Sequence, residues 1–235
     1  MLQPDFADIL WKKQKEYIEG INSPSYFSRF KAFRNVFNCF WNGETVAQIA
    51  CGGINEDLFL TMDKVGKKGK IILIDKEPSF VYDRALNILG GKNLPEGKEF
   101  YTETERGKQF LRELFSQANI EAHVQHLPPY PEQIKDYSLD HVMAINAAFE
   151  LMGQRPGGPP GDVKGLVAET HRKLKKDGSF LVQGLESFDI HAFGSAVWEA
   201  ERQNGITFEQ DYGISELLIY YGPGTGHWAR WIKRE

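Results

Sequence analysis

The segment from Thr45 to Pro78, TVAQIACGGINEDLFLTMDKVGKKGKIILIDKEP, leaves this chain few folds to adopt. Val46 to Ala50 is a short apolar run broken by Gly52 and Gly53, after which Asp57, Leu58, Leu60 and Met62 continue at helical spacing. Gly66 and Gly69 close that helix, and Lys70 to Ile74 is a branched apolar run that ends on an acid, Asp75. Continuous apolar runs of this kind are the mark of buried parallel strands. The unit reads strand, glycine turn, helix, strand. Glycines after the first strand, with an acid closing the second roughly 20 residues on, make a nucleotide-binding arrangement. Small residues let backbone approach the ligand, the helix amino end favours negative charge, and Asp75 is placed to accept hydrogen bonds from ribose hydroxyls. The same pattern fits an ordinary βα turn of any α/β domain, so the unit alone does not decide between the two.

A chain of 235 residues accommodates one domain with additions, or two small ones, and is long enough to bury a full core. Its hydrophobic share of 41% and aromatic share of 13% fit that size. No run approaches the ~18 apolar residues of a membrane span, and the opening MLQPDFADIL has neither basic leader nor small-residue cleavage site, so a cytoplasmic location is expected. Cys39 and Cys51 are the two cysteines, which excludes a disulfide framework and suits a reducing compartment. A net charge of −4 argues against nucleic-acid binding through bulk electrostatics, and the expected partner is a small molecule.

Ahead of the first strand, Pro4 to Ile21 carries an imperfect helical stripe with Asp5 and Asp8 near its start, and a second helix opens at Ser23 or Pro24 with a broad aromatic face from Tyr26 to Trp41. That front segment reads mainly as core packing, with a lid over a ligand as the second reading. Beyond Asp75, Ser79 to Leu89 is helical in pattern, Gly90 to Thr104 is a polar excursion, Glu105 to Ala118 is a helix and Glu121 to His126 a strand. Leu139 to Ile145 is the fourth strand, and a glycine- and proline-rich loop, Met152 to Gly161, comes after it. Val163 to Leu174 is a helix ended by Asp177 and Gly178, Phe180 to Gln183 a strand and Ile190 to Gln203 a helix. Two β-like runs, Phe208 to Tyr221 and His227 to Lys233, joined by GPGTG, close the chain as a hairpin.

Alternating strands and helices ended by such a hairpin resemble the class I S-adenosylmethionine-dependent methyltransferases over roughly residues 45–233. The resemblance rests on VAQIACGGINEDL as the glycine motif, IILIDKEP as the acidic strand end, SLDHVMAINAAFELM as the fourth strand and AETHRKLKKDGSFLVQG as the helix and fifth strand. It implies an α/β fold with a doubly wound, mostly parallel seven-stranded sheet, an antiparallel C-terminal hairpin strand and an N-terminal helical cap. Residues 1–44 would form the cap or lid and 45–235 the Rossmann-like domain, with an insertion at about 86–104. It further implies S-adenosylmethionine as cofactor, S-adenosylhomocysteine as product and a small-molecule methyl acceptor. By position, Ala50, Cys51, Gly52 and Gly53 would line the methionine part, Asp75 would take the ribose, Lys76 would lie beside the adenine with His126 or Leu127 at its edge, and Asn146 would open toward the methyl group.

The sequence also departs from the family. Its motif is acid-x-Gly-x-Gly-x-Gly, and those positions hold Gln48, Ala50, Gly52 and Ile54 here. Gln48 and Ile54 therefore support a second reading, a catalytically silent relative serving as a binding or scaffold subunit. A third, a nicotinamide-dependent oxidoreductase, is favoured by the βαβ unit and disfavoured by the terminal hairpin. Methyl transfer needs mainly alignment of nucleophile, methyl carbon and leaving sulfur, so no compulsory catalytic motif is expected. His126, Glu150 and His191 are the candidate bases near strand ends, each also suited to a structural role. No metal site is expected: on a strand, His123 and His126 point to opposite faces, and no cysteine pair lies nearby. Cys51 reads as a small buried filler rather than a thiolate nucleophile. Tyr26, Phe27, Phe30, Tyr130, Phe149 and Trp198 would suit a flat acceptor, or the core.

Overall fold

The strand, helix, strand order is realised by Thr45–Ile49 (β1), Glu56–Val65 (α2) and Lys70–Asp75 (β2), preceded by Phe6–Asn22 (α1). This computed structural model describes residues 6–22, 36–50, 55–91, 94, 96–145, 162–184, 187–211, 219–221 and 224–234. The chain continues through Pro78–Ile88 (α3), Lys98–Glu103 (α4), Glu105–Ser116 (α5), Ile120–Val124 (β3), Leu139–Ala144 (β4), Val163–Lys173 (α6) and Leu174–Gly184 (β5). Ser187–Asn204 (α7), Phe208–Gln210 (β6), Ile219–Tyr221 (β7) and Gly224–Lys233 (β8) complete it. Seven strands run in the order β3-β2-β1-β4-β5-β8-β6, and β7 pairs with β8 off that path. The sheet is mostly parallel with antiparallel C-terminal strands, as expected. Among the described residues no helix is long and apolar enough to cross a membrane.

By Cα proximity the chain divides into two compact units, Met1–Thr45 with Cys51–Gln125 and Val46–Ala50 with His126–Glu235. In the first, β2 and β3 pair in parallel from Ile71 opposite Ile120 to Asp75 opposite Val124. Helix α1 packs on α2, α3 and α5. Its apolar stripe makes the contacts: Phe6 meets the Phe115 ring edge-on at 5.3 Å, and Tyr17 meets Phe59 at 5.5 Å. The expected second helix falls largely on 23–35, outside the described residues. Between there and β1 the chain forms a single 3-10 turn, Phe37–Cys39.

The polar excursion of 90–104 needs a correction, because it contains α4. Six residues with one buried anchor show no periodicity, yet Tyr101 is buried and its ring lies 5.6 Å from both Tyr82 and Phe110. Thr104 joins α4 to α5: its hydroxyl accepts from the Gly107 N–H at 3.0 Å, an N-cap on α5, and donates to the Phe100 carbonyl at 2.7 Å.

In the second unit β1, β4 and β5 are parallel neighbours, with Val46 opposite His141 and Ala144 opposite Val182. Strand β8 runs antiparallel to β5 from Ser179 opposite Ile232 to Gly184 opposite His227, and β6 and β7 both pair with β8. The terminal hairpin thus forms, with 212–218 outside the described residues. Phe193 of α7 packs on Phe180 and Trp231 at 5.7 and 5.6 Å.

The boundary between α6 and β5 also differs from expectation. Asp177 and Gly178 do not stop the helix; β5 starts at Leu174, and the stretch between Leu174 and Ser179 is a bulge in it, since the register with β4 shifts between Leu139 and His141. Asp177 takes the left-handed conformation there, with φ 61°. A Cβ on Gly178 would come within 2.9 Å of the Asp140 and Lys175 carbonyl oxygens, so only glycine fits. Helix α6 ends instead on a buried ammonium: Lys233 Nζ donates to the carbonyls of His171 and Leu174 at 2.8 and 2.9 Å.

Candidate functional site

In the second unit the three parallel strands present their carboxyl ends at Ile49, Ala144 and Gly184. Ligands of open α/β sheets bind outside such ends. Ala50, directly after β1, has φ 48°, a left-handed backbone in which side chains are disfavoured by roughly 1–2 kcal/mol. The chain thus keeps a glycine-type turn at the position of the family motif's first glycine, with an alanine in it. Ala50→Gly relieves that strain against the greater unfolded-state freedom of glycine, and is expected to raise stability by up to about 1 kcal/mol in urea denaturation. A loss of similar size would show that the turn does not need this conformation.

Cys51, Gly52, Gly53, Ile54, Asn146 and Glu150 lie outside the described residues, as do Tyr26, Phe27, Phe30 and Phe149. Gln48, at the motif's acid position, is 1% exposed within β1 and stands opposite Met143. His126 is exposed and Leu127 half-buried. His191 is exposed on α7, where its carbonyl accepts from the Ser195 hydroxyl at 3.1 Å. Tyr130 belongs to the core: it is buried, its hydroxyl lies 2.8 Å from Thr170 Oγ1, and burial pushes its ionisation far up, so it is no base. Trp198 is 56% exposed, with the Arg202 guanidinium 4.7 Å over its ring.

In the first unit Asp75 ends β2 at 4% exposure. Its Oδ1 accepts from the Glu77 N–H at 3.0 Å, which holds the carboxylate at the strand end, and its own carbonyl accepts from the Gln125 N–H at 2.8 Å. Lys76 beside it is exposed. Helix α2 has Asn55 as its N-cap residue, whose Nδ2 donates to the Arg84 carbonyl at 3.3 Å. Arg84 Nη2 in turn meets Asp57 Oδ1 and Oδ2 at 3.2 and 3.1 Å. This buried pair, which fastens α3 to the first turn of α2, is absent from the expectations drawn from sequence. The signal was there: Arg84 stands on the apolar stripe Val81, Ala85, Ile88, where an arginine needs a buried acid. On β3, burial holds the His123 imidazole below its usual range despite Glu121 Oε2 at 3.6 Å. Among the described residues no three His, Cys, Asp or Glu side chains are grouped to hold a metal ion.

No protein-family model matches the sequence, and no curated protein matches it either. Solved structures do. A SAM-dependent methyltransferase from Aquifex aeolicus is 16% identical, with a TM-score of 0.53 over 98% of this chain and 100% of its own. A SAM-dependent O-methyltransferase from Thermotoga maritima is 11% identical, with a TM-score of 0.51 over 99% of this chain and 72% of its own. A precorrin-6y C5,15-methyltransferase from Geobacter metallireducens is 11% identical, with a TM-score of 0.51 over 89% of this chain and 92% of its own. At these identities the likeness concerns the fold. With its strand order, its acid-ended second strand and its antiparallel terminal strands, this chain has the Rossmann-like fold of the class I S-adenosylmethionine-dependent methyltransferases.

Proposed function

We propose that the protein is an S-adenosylmethionine-dependent methyltransferase acting on a small-molecule acceptor. The observation that carries this reading is Asp75, a buried carboxylate held at the end of the second parallel strand by the Glu77 N–H. A buried acid so held fits a ribose diol, to which it offers charge-assisted acceptors. Ala50 fits the same cofactor in a second way, since its left-handed backbone turns the chain as a glycine would. When bound, S-adenosylmethionine supplies a methyl group on a sulfonium sulfur and departs as S-adenosylhomocysteine.

Each part of the cofactor then has its proposed residues. Asp75 binds the ribose; Lys76, with His126 or Leu127, flanks the adenine; Ala50, Cys51, Gly52 and Gly53 line the methionine part; Asn146 faces the methyl group. Alignment of the acceptor atom with the methyl carbon is the main catalytic contribution. An oxygen or carbon acceptor releases a proton, and His126, Glu150 and His191 are the proposed groups to receive it. Residues 1–44 are proposed as a cap or lid, and 86–104 as an insertion that forms part of a substrate pocket or an interface.

Asp75→Ala is expected to weaken S-adenosylhomocysteine binding about 100-fold, the worth of one or two charged hydrogen bonds. Isothermal titration of both proteins measures it, with thermal unfolding as the control for folding. Equal affinities in a folded variant would overturn the assignment of Asp75. Gln48 favours one other reading, a silent relative that keeps the fold as a binding or scaffold subunit. That reading expects no binding of the sulfur nucleosides by the parent chain.

A further inference from the structure

The carboxyl end of β5 carries a side chain that the fold does not use. Gln183 is 1% exposed, and among the described residues neither its Nε2 nor its Oε1 has a hydrogen-bond partner. Roughly nine in ten buried polar groups are paired in native interiors, and an amide unpaired at both ends asks for a reason. The flanking residues Phe180, Leu181 and Val182 show that an aliphatic or aromatic side chain suits this strand. Gln183 therefore costs stability where leucine would not.

Strand alternation gives the amide its neighbours. Phe180 and Trp231, opposite each other across β5 and β8, face α7 through Phe193. Leu181, Gln183, Trp228 and Arg230 consequently share the other face. Trp228 stands directly opposite Gln183, and Arg230 is two residues further along β8, diagonally within reach of long side chains. Arg230 Nη1 donates to Asp211 Oδ2 at 3.1 Å, while its buried Nε has no hydrogen-bond partner among the described residues. One face of the sheet, at the strand ends where ligands bind, thus holds two unused donors and one unused acceptor.

We propose that Gln183, with Arg230 beside it, recognises the methyl acceptor, and that the acceptor presents to it a carbonyl oxygen next to an N–H, the edge of an amide or a lactam. A planar amide offers its donor and acceptor side by side, and a second amide edge in reverse order satisfies both in one plane. The ligand N–H donates to Gln183 Oε1, and the ligand carbonyl accepts from Gln183 Nε2 and Arg230 Nε. A carboxylate would set a negative oxygen against Oε1. The inference deepens the proposed function and rests on it only for naming the ligand a methyl acceptor.

The test uses the full chain and three probes: 2-pyridone, which has the C=O and N–H edge, 1-methyl-2-pyridone, which lacks the N–H, and benzoate. Saturable binding of 2-pyridone by NMR titration is expected for the parent chain, with 1-methyl-2-pyridone and benzoate at least about 10-fold weaker. Gln183→Leu is expected to lose the preference for 2-pyridone and, without ligand, to melt at least about 2 °C higher than the parent. A lower melting point in Gln183→Leu, or equal binding of 2-pyridone and its N-methyl analogue by the parent, would overturn the proposal. S-adenosylhomocysteine is titrated into the same two proteins. If both bind it while 2-pyridone is not recognised, the inference fails and the methyltransferase reading stands. If the parent recognises 2-pyridone and does not bind S-adenosylhomocysteine, the methyltransferase reading fails and Gln183 remains a ligand group.

Discussion

Asp57→Ala is expected to lose about 3–5 kcal/mol of folding stability, the usual cost of removing one member of a buried ion pair. The Arg84 side chain is 0% exposed and that of Asp57 8%, with both carboxylate oxygens within 3.2 Å of Arg84 Nη2. Arginine cannot shed its proton in a protein interior, so removing the acid leaves a charge buried rather than a neutral group. The double variant Asp57→Ala with Arg84→Met removes that charge and is expected to be more stable than Asp57→Ala alone. Urea denaturation of the three proteins measures both statements. A loss below 1 kcal/mol for Asp57→Ala, or a double variant worse than the single one, would show that the pair is not what fastens α3 to α2. Asp57 lies in the first turn of α2, directly after residues 51–54 in sequence, so the loss is expected to reach the proposed cofactor-binding segment as well.

Gly107→Ala is expected to cost about 3 kcal/mol, at the upper end of overpacking. Its Cβ would stand 2.6 Å from Tyr101 Cα and 2.7 Å from the Phe100 carbonyl carbon, both backbone atoms of α4. Neither can swing aside as a side chain would, so α4 and α5 must separate. That separation pulls Tyr101 from between Tyr82 and Phe110, which is what holds α4 in place. Chemical denaturation gives the loss, and faster proteolytic cleavage within 92–104 locates it. A variant as stable and as resistant as the parent would mean that α4 does not pack on α5 so closely.

The parallel strands were legible because each is a nearly unbroken apolar run between turn residues, and Asp75 was legible as the acid that ends one of them. Two boundaries were not. Helix α4 hides in a polar stretch because one turn and a half, anchored by Tyr101 alone, leaves no repeat to detect. The start of β5 hides because Lys175, Lys176 and Asp177 form an exposed bulge that looks like a helix end and a turn. The site is harder to read than the fold for a related reason. Ala50 reads as a lost glycine, while its φ of 48° shows the glycine conformation kept. Gln183 reads as a polar strand end, and only three-dimensional packing shows that its amide is buried with nothing among the described residues to bond. Arg84 is the opposite case, a charge on an apolar helix stripe that the sequence displayed in plain form.

The methyltransferase reading stands or falls on a calorimetric titration of the parent chain with S-adenosylhomocysteine, run beside one with NADH. Saturable binding of S-adenosylhomocysteine and none of NADH is expected, with thermal stabilisation of about 2.7 kcal/mol once the ligand reaches 100 times its dissociation constant. Absence of S-adenosylhomocysteine binding up to millimolar concentration would contradict it and turn attention to the silent-relative reading. Preferential binding of NADH would contradict it in favour of an oxidoreductase.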